Sequence, residues 1–238
     1  MNIKVLKTKI FKEGEDLISF LFSCFKKIPE NSIIVITSKV VSLSQKRIVA
    51  IDPKISYKEF RDNLIRDESD LAVRTASSWL TIKDGMAMSS AGVDESNANG
   101  KIILLPKNSF KTAEKIRQAL KKKHKLKNIG VLITDSRRFP LRRGIFGVAV
   151  GYAGFKGIID YRGAPDIFGR LLKFAEANAA DSLASAAVLC MGEGSERKPL
   201  AIIQKAPVVF ADTVNKKELI INWKEDLYLP LWRSILKK

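Results

Sequence analysis

The residues with the clearest chemical potential fall in two short segments. In 133–136 (Ile-Thr-Asp-Ser), Asp135 and the Ser136 hydroxyl come at the end of an aliphatic run that starts at Ile129. A carboxylate at the C-terminal end of a buried strand stands where open sheets place ligand-binding groups. The plainer alternative is a helix N-cap. In 90–97 (Ser-Ala-Gly-Val-Asp-Glu-Ser-Asn), Asp94 lies in a polar turn that reads equally as a hairpin turn closed by Asx hydrogen bonds. With carboxylates and hydroxyls as the donors, the metal that fits is a hard cation such as Mg²⁺ or Mn²⁺. Asp94 and Asp135 together would grip a cation that bridges nucleotide phosphate oxygens, and Arg137, Arg138, Arg142 and Arg143 would neutralise the remaining charge.

Other chemistries drop out. His124 is the only histidine and sits inside a lysine run, which argues against Ser-His-Asp catalysis and histidine-rich metal sites. No phosphate-loop, dinucleotide-fingerprint, nucleophile-elbow or HExxH pattern occurs. Cys24 and Cys190, the only cysteines, are too few for a thiolate zinc site or a stapled secreted scaffold, so reduced, buried thiols are expected.

Positioning these groups requires a mixed chain. Strands are expected at 3–6, 33–41, 101–105, 129–134, 201–204 and 218–221, and helices at 16–27, 57–76, 112–123 and 166–191, with a short amphipathic segment at the end. Residues 78–82 are ambiguous. Gly144, Gly147, Gly151, Gly154 and Gly157 suggest bent strands with close backbone approach. Arg162 and Asp166 either pair around the turn at 163–165 or touch substrate, and Trp79, Trp223 and Trp232 read as packing residues. The class is α+β, with mixed sheets and interspersed helices. At 238 residues the chain is one large domain or two closely packed lobes, and with no boundary evident 1–238 is taken as one unit. No apolar run approaches the ~20 residues of a membrane span, and the first residues do not read as a signal peptide, so a cytoplasmic protein is expected.

Lys and Arg number 42 against 25 acids, a net charge of +17, which calls for an anionic partner: nucleic acid, anionic lipid, or a small polyanion such as a nucleotide. Much of the excess lies in 111–127, which reads first as a solvated helix face. Aromatic residues are scarce there, so an RNA-binding role would have little to stack bases on.

The blocks 37–42 (TSKVVS), 90–97 (SAGVDESN), 104–106 (LLP), 133–136 followed by Arg142-Arg143-Gly144, 160–170 (DYRGAPDIFGR) and Met191-Gly192-Glu193 span nearly the whole chain. In order and spacing they resemble the coenzyme F420:L-glutamate ligase family. The resemblance implies a two-lobed α+β fold acting as an intimate homodimer. It also implies a GTP- and Mg²⁺- or Mn²⁺-dependent enzyme that joins L-glutamate to a small anionic acceptor, the deazaflavin precursor F420-0, through an acyl phosphate. By the same resemblance Asp94, Asp135 and Ser136 are metal ligands. Ser38, Lys39, Asn97, Gly192, Glu193 and Gly194 contact the nucleotide, and Arg142 and Arg143 share the catalytic work with the two aspartates. Two departures stand out. Leu43 replaces a nucleotide-contacting lysine, with Lys39 or Lys46 left to supply its charge, and 145–147 is Ile-Phe-Gly where the family often has Gln-Thr-Asp. The second points to an altered acceptor, for example a folate. A non-catalytic RNA-binding protein on the same fold is the alternative from another class.

Overall fold

A computed structural model describes residues 1–236. In chain order its elements are β1 (Asn2–Leu6), α1 (Leu17–Cys24), β2 (Ser32–Thr37), α2 (Ser38–Ser44), β3 (Ile48–Ala50), α3 (Tyr57–Asp67), β4 (Leu71–Arg74), β5 (Trp79–Lys83) and β6 (Met86–Ser89). A 3-10 turn (Ser90–Gly92) leads to β7 (Lys101–Ile103), α4 (Ser109–His124), β8 (Ile129–Arg137), β9 (Phe146–Ala153), β10 (Ile158–Asp160), β11 (Glu176–Asn178), α5 (Ala179–Met191), β12 (Leu200–Gln204) and α6 (Leu229–Leu236). They form two compact units, one of residues 1–48 and 106–216, the other of 49–105 with the described residues from 217 on.

The first unit is built on a five-stranded sheet in the order β1-β12-β2-β8-β9. Only β2 and β8 run parallel; the other pairs are antiparallel. Ile33, Ile34, Val35 and Ile36 are all buried, as are Val131, Leu132 and Ile133, because both faces of the sheet are covered. On one face, Leu17, Phe20, Leu21, Val40, Val41, Ala113, Ile116 and Leu120 from α1, α2 and α4 join Ile34, Ile36, Val131 and Ile133 in one core. α5 packs on the sheet through β8 and β9 and buries Ala180, Ala184 and Ala187, small residues that allow close approach.

The glycines of β9 are explained by that approach. A Cβ at Gly147 would stand 2.5 Å from the Ala184 carbonyl oxygen in α5, and one at Gly151 would stand 2.6 Å from Ser109 in α4. Between them the register slips, with Ile133 opposite Gly151 and Thr134 opposite Ala149, so Val150 is a bulge residue. Asp181 of α5 braces the bulge, its Oδ1 accepting from the Ala149 N–H at 2.8 Å and its Oδ2 from Asn178 Nδ2 at 2.6 Å.

In the second unit β4, β5 and β6 form an antiparallel meander, β3 pairs with β7, and Ile65, Trp79, Val93, Ile102 and Leu104 make the core. The Trp79 indole N–H donates to Asp62 Oδ1 at 2.7 Å while Arg66 and Arg74 flank its ring.

Several sequence expectations are corrected. The strand at 33–41 ends at Thr37, after which Val40 and Val41 reach the core from helix α2 instead. The helix at 57–76 stops at Asp67, and residues 71–74 pair with β5. The long helix at 166–191 begins only at Ala179. Before it, Asp166 Oδ1 accepts from the Phe168 and Arg170 N–H groups, and Gly169 (φ +83°) closes a turn, making a hairpin arm. Residues 218–221 form no strand, Cys190 is exposed, and so is Trp223. The 111–127 segment is not merely a solvated face: α4 buries Arg117, 2% exposed, whose Nε donates to the Ile129 carbonyl at 3.0 Å and whose other end pairs with Glu114 and Asp212. Among the described residues no helix is long and apolar enough to cross a membrane.

Gly147→Ala is expected to lower stability by about 1–3 kcal/mol, because the methyl must displace the α5 backbone. Urea unfolding checks this, and a wild-type midpoint would contradict the close packing.

Candidate functional site

The parallel pairing of β2 and β8 puts Thr37 beside Thr134 and so carries both strand ends to the same edge of the sheet. Beyond that edge the two strands part: the β2 chain turns into α2, while β8 continues for three more residues as an antiparallel partner of β9. Asp135 is therefore a strand residue and not the N-cap considered as its alternative. It extends the face formed by Val131 and Ile133, the side covered by α1, α2 and α4. There, Ser38 Oγ, at the first turn of α2, donates to Asp135 Oδ1 at 2.7 Å, and Arg137 Nη1 pairs with Asp135 Oδ2. Arg137, 6% exposed, also donates to the Ser136 carbonyl at 2.9 Å. In the sequence Arg137 reads as one of the arginines that neutralise phosphate charge, whereas here it is spent on the Asp135 carboxylate. Strand alternation is the signal that places it on the face of Asp135.

Ser136 faces the other way. Its Oγ donates to Glu193 Oε1 at 2.6 Å, from the loop that follows α5. Gly192 ends that helix in the left-handed region (φ +84°), and a Cβ there would stand 2.5 Å from the Glu196 carboxyl carbon. Glu196 in turn accepts the Gly194 N–H at 2.8 Å, fixing the loop's path. Thr134, 1% exposed, leaves its Oγ1 without a hydrogen-bond partner among the described residues. A buried hydroxyl in that state loses the hydrogen bonds it had in water.

Of the expected residues, the first unit thus pairs Ser38 with Asp135 on one face of the strand end and Ser136 with Glu193 on the other, with Gly192 and Gly194 shaping the loop. Lys39 is the next residue of α2 and half-buried. Arg142 and Arg143 lie exposed on the 138–145 loop, whose base is closed by an edge-to-face contact of Phe139 and Phe146 at 5.2 Å. Asp94 and Asn97 belong to the second unit. The Asx reading of Asp94 holds: its Oδ1 accepts the Ser96 N–H at 2.7 Å, and its backbone pairs with Ile103. The turn before it is strained, with Ser90 and Ala91 both near φ +52°. Non-glycine residues in that region concentrate where structure serves function. Ser90 Oγ lies 3.1 Å from Ser78 Oγ, and Arg61 pairs with Glu95 at 2.9 Å.

The donors fit a hard divalent ion in kind. Asp135, Ser136 and Glu193 offer carboxylate and hydroxyl oxygens, and Mg²⁺ habitually combines one or two carboxylates with phosphate and water. Among the described residues no three His, Cys, Asp or Glu side chains form a metal cluster by themselves.

A mixed α+β sheet carrying carboxylates and hydroxyls at the ends of its parallel strands defines a ligand-binding class, not yet a family. The sequence pattern of the F420-0:gamma-glutamyl ligase family matches residues 5–205, and the chain belongs to that family. The coenzyme F420:L-glutamate ligase of Methanococcus maripaludis is 39% identical over 244 residues, 96% of this chain and 97% of that protein. Proteins of the same name from Methanocaldococcus jannaschii and Methanosarcina mazei are 35% and 30% identical, covering 94% and 85% of this chain and 94% and 84% of their own.

In the family-like block 160–170, Arg162 pairs with Asp160 and Glu176 and not with Asp166. Its guanidinium and backbone N–H hydrogen bonds hold the Asp160 carboxyl down at about 2. That contribution to the hairpin is present above the unfolded value of about 3.9 and is lost as pH falls through about 2. An NMR titration should place the Asp160 midpoint near 2 and move it toward the ordinary value in Arg162→Ala. No movement would contradict the pairing.

Proposed function

We propose that the chain is a GTP-dependent gamma-glutamyl ligase that adds L-glutamate to the coenzyme F420-0 precursor. The observation that carries this is the Ser38–Asp135–Arg137 cluster at the ends of the parallel strands, in a chain whose family match spans 5–205. In the reaction, an acceptor carboxylate oxygen attacks the γ-phosphorus of GTP, releasing GDP and leaving an acyl phosphate. The glutamate amine then attacks the acyl carbon, the amide bond forms as the bond to phosphate breaks, and the amine gives up a proton.

A divalent ion, Mg²⁺ or Mn²⁺, would be held by Asp135, and by Ser136 once its hydroxyl turns from Glu193, and would reduce repulsion between the carboxylate and the triphosphate. The rest of the work falls to the chain. Ser38 and Lys39, at the start of α2, and the 192–194 loop would contact the nucleotide. Arg137 holds the Asp135 carboxylate in place. Arg142 and Arg143, on their exposed loop, neutralise charge shifted onto the leaving phosphate.

The reading also makes the chain a homodimer. The hairpin arm between β10 and β11 presents Ile167, Phe168 and Phe174 at 92%, 89% and 90% exposure, together with Leu171. Apolar side chains that bare on an ordered arm mark an interaction surface, and a second copy of the chain is the partner assigned to it. Phe168→Ser combined with Phe174→Ser is expected to give the monomer mass in light scattering where the wild type gives the dimer mass. A wild-type monomer would contradict the assignment.

Incubation with GTP or ATP, Mg²⁺ or Mn²⁺, L-glutamate and either F420-0 or a reduced folate tests the activity, read by product mass. The expected result is a glutamate increment on F420-0 with GTP. An increment on folate alone would move the acceptor, and none on either would overturn the ligase reading. Asp135→Asn should lower turnover at least about a hundredfold while the chain still folds, with a lower melting temperature because the buried Arg137 guanidinium loses its charge partner. The same loss is expected from Asp94→Asn, the other carboxylate that the family resemblance assigns to the ion.

A further inference from the structure

The first unit also holds a cavity of about 470 Å³ at the far end of α2 from Asp135. Gln45, Arg47, Lys107, Lys111 and Lys115 line it. Four cations line this space, and none of the described lining residues is acidic. Like charges gathered around a concavity repel one another, and a bound anion relieves that repulsion while gaining from the focused field.

The wall is built rather than incidental. The Gln45 side chain clasps the chain entering α4: its Oε1 accepts the Lys107 N–H at 2.8 Å, and its Nε2 donates to the Lys107 carbonyl and to Thr112 Oγ1, both at 3.1 Å. Lys111 and Lys115 stand one turn apart on the exposed side of α4, opposite the buried Ala113, Ile116 and Leu120.

We infer that this cavity is a second anion site, separate from the strand-end cluster, that takes the clustered phosphoryl oxygens of an oligophosphate. α2 separates the two places: Ser38 at its start binds Asp135, and Gln45 just past its end binds the α4 entrance, about 10 Å further along the helix. The oxygens could come from a free oligophosphate or from the phosphate chain of a nucleotide. Two lysines at i and i+4 with an arginine lining the same space suit several anionic oxygens close together better than a single carboxylate.

The test is calorimetric titration of the full chain with tripolyphosphate, GTP and guanosine at physiological salt. It compares wild type, the cavity triple Lys107→Gln/Lys111→Gln/Lys115→Gln, and the matched triple Lys26→Gln/Lys122→Gln/Lys127→Gln on exposed lysines elsewhere in the same unit. Tripolyphosphate is expected to bind the wild type and the matched triple alike, and the cavity triple about tenfold more weakly, with all three melting normally. Loss in the cavity triple of a second GTP equivalent seen in the wild type would identify a nucleotide as the source of the phosphates. A single GTP equivalent in both proteins, with tripolyphosphate weakened, would identify a free oligophosphate. Equal weakening in both triples would mean that only the overall charge attracts anions and would overturn the inference, as would the absence of tripolyphosphate binding.

Discussion

One parallel pairing governs the molecule. Strands β2 and β8 are the only parallel neighbours in a sheet that is otherwise antiparallel. Parallel neighbours cannot be joined by a tight hairpin and need a long crossover. Here the crossover contains α2, the whole 49–105 segment and α4. The same pairing sends both strand ends to one edge, so that a hydroxyl from the start of α2 meets a carboxylate from the end of β8. Antiparallel, Ser38 and Asp135 would leave the sheet at opposite edges.

Close packing on both faces makes that edge rigid. Glycines at 147 and 151 let α5 and α4 approach the β9 backbone, and the bulge at Val150 lets successive stretches of the strand serve opposite faces. Asp181 holds the bulge from α5, and the loop after α5 returns Glu193 to Ser136. Asp135 and Ser136, neighbours in sequence, are thereby anchored from opposite sides of the sheet. Removing Asp181 would leave the Ala149 N–H without that acceptor and loosen the strand that carries them.

How far this was legible in the sequence depended on whether local pattern and tertiary context agreed. The buried strand leading to Asp135 was plain, because a strand covered on both faces reads as an unbroken aliphatic run. The glycine-rich bent strand was legible for the same kind of reason. The start of α2 was hidden: Val40 and Val41 prolong the β-branched run, and only the core packing of α2 distinguishes helix from strand. The arm at 161–175 was lost inside an apparent helix, because its hairpin depends on the Asp166 turn and on cross-strand bonds between distant residues. Residues Asp94 and Asn97 were recognised through their motif, yet nothing local revealed that the turn before them holds Ser90 and Ala91 in the left-handed region. Arg117 was invisible as a core residue, since burial of an arginine rests on the Ile129 carbonyl and on acids far along the chain.

The central claim is that the strand-end carboxylate is the chemical centre. Anomalous diffraction from crystals grown with Mn²⁺ and GTP addresses it most directly. The account predicts a manganese peak within direct ligand distance of the Asp135 carboxylate. A peak elsewhere, with Asp135 still held by Ser38 and Arg137, would contradict it.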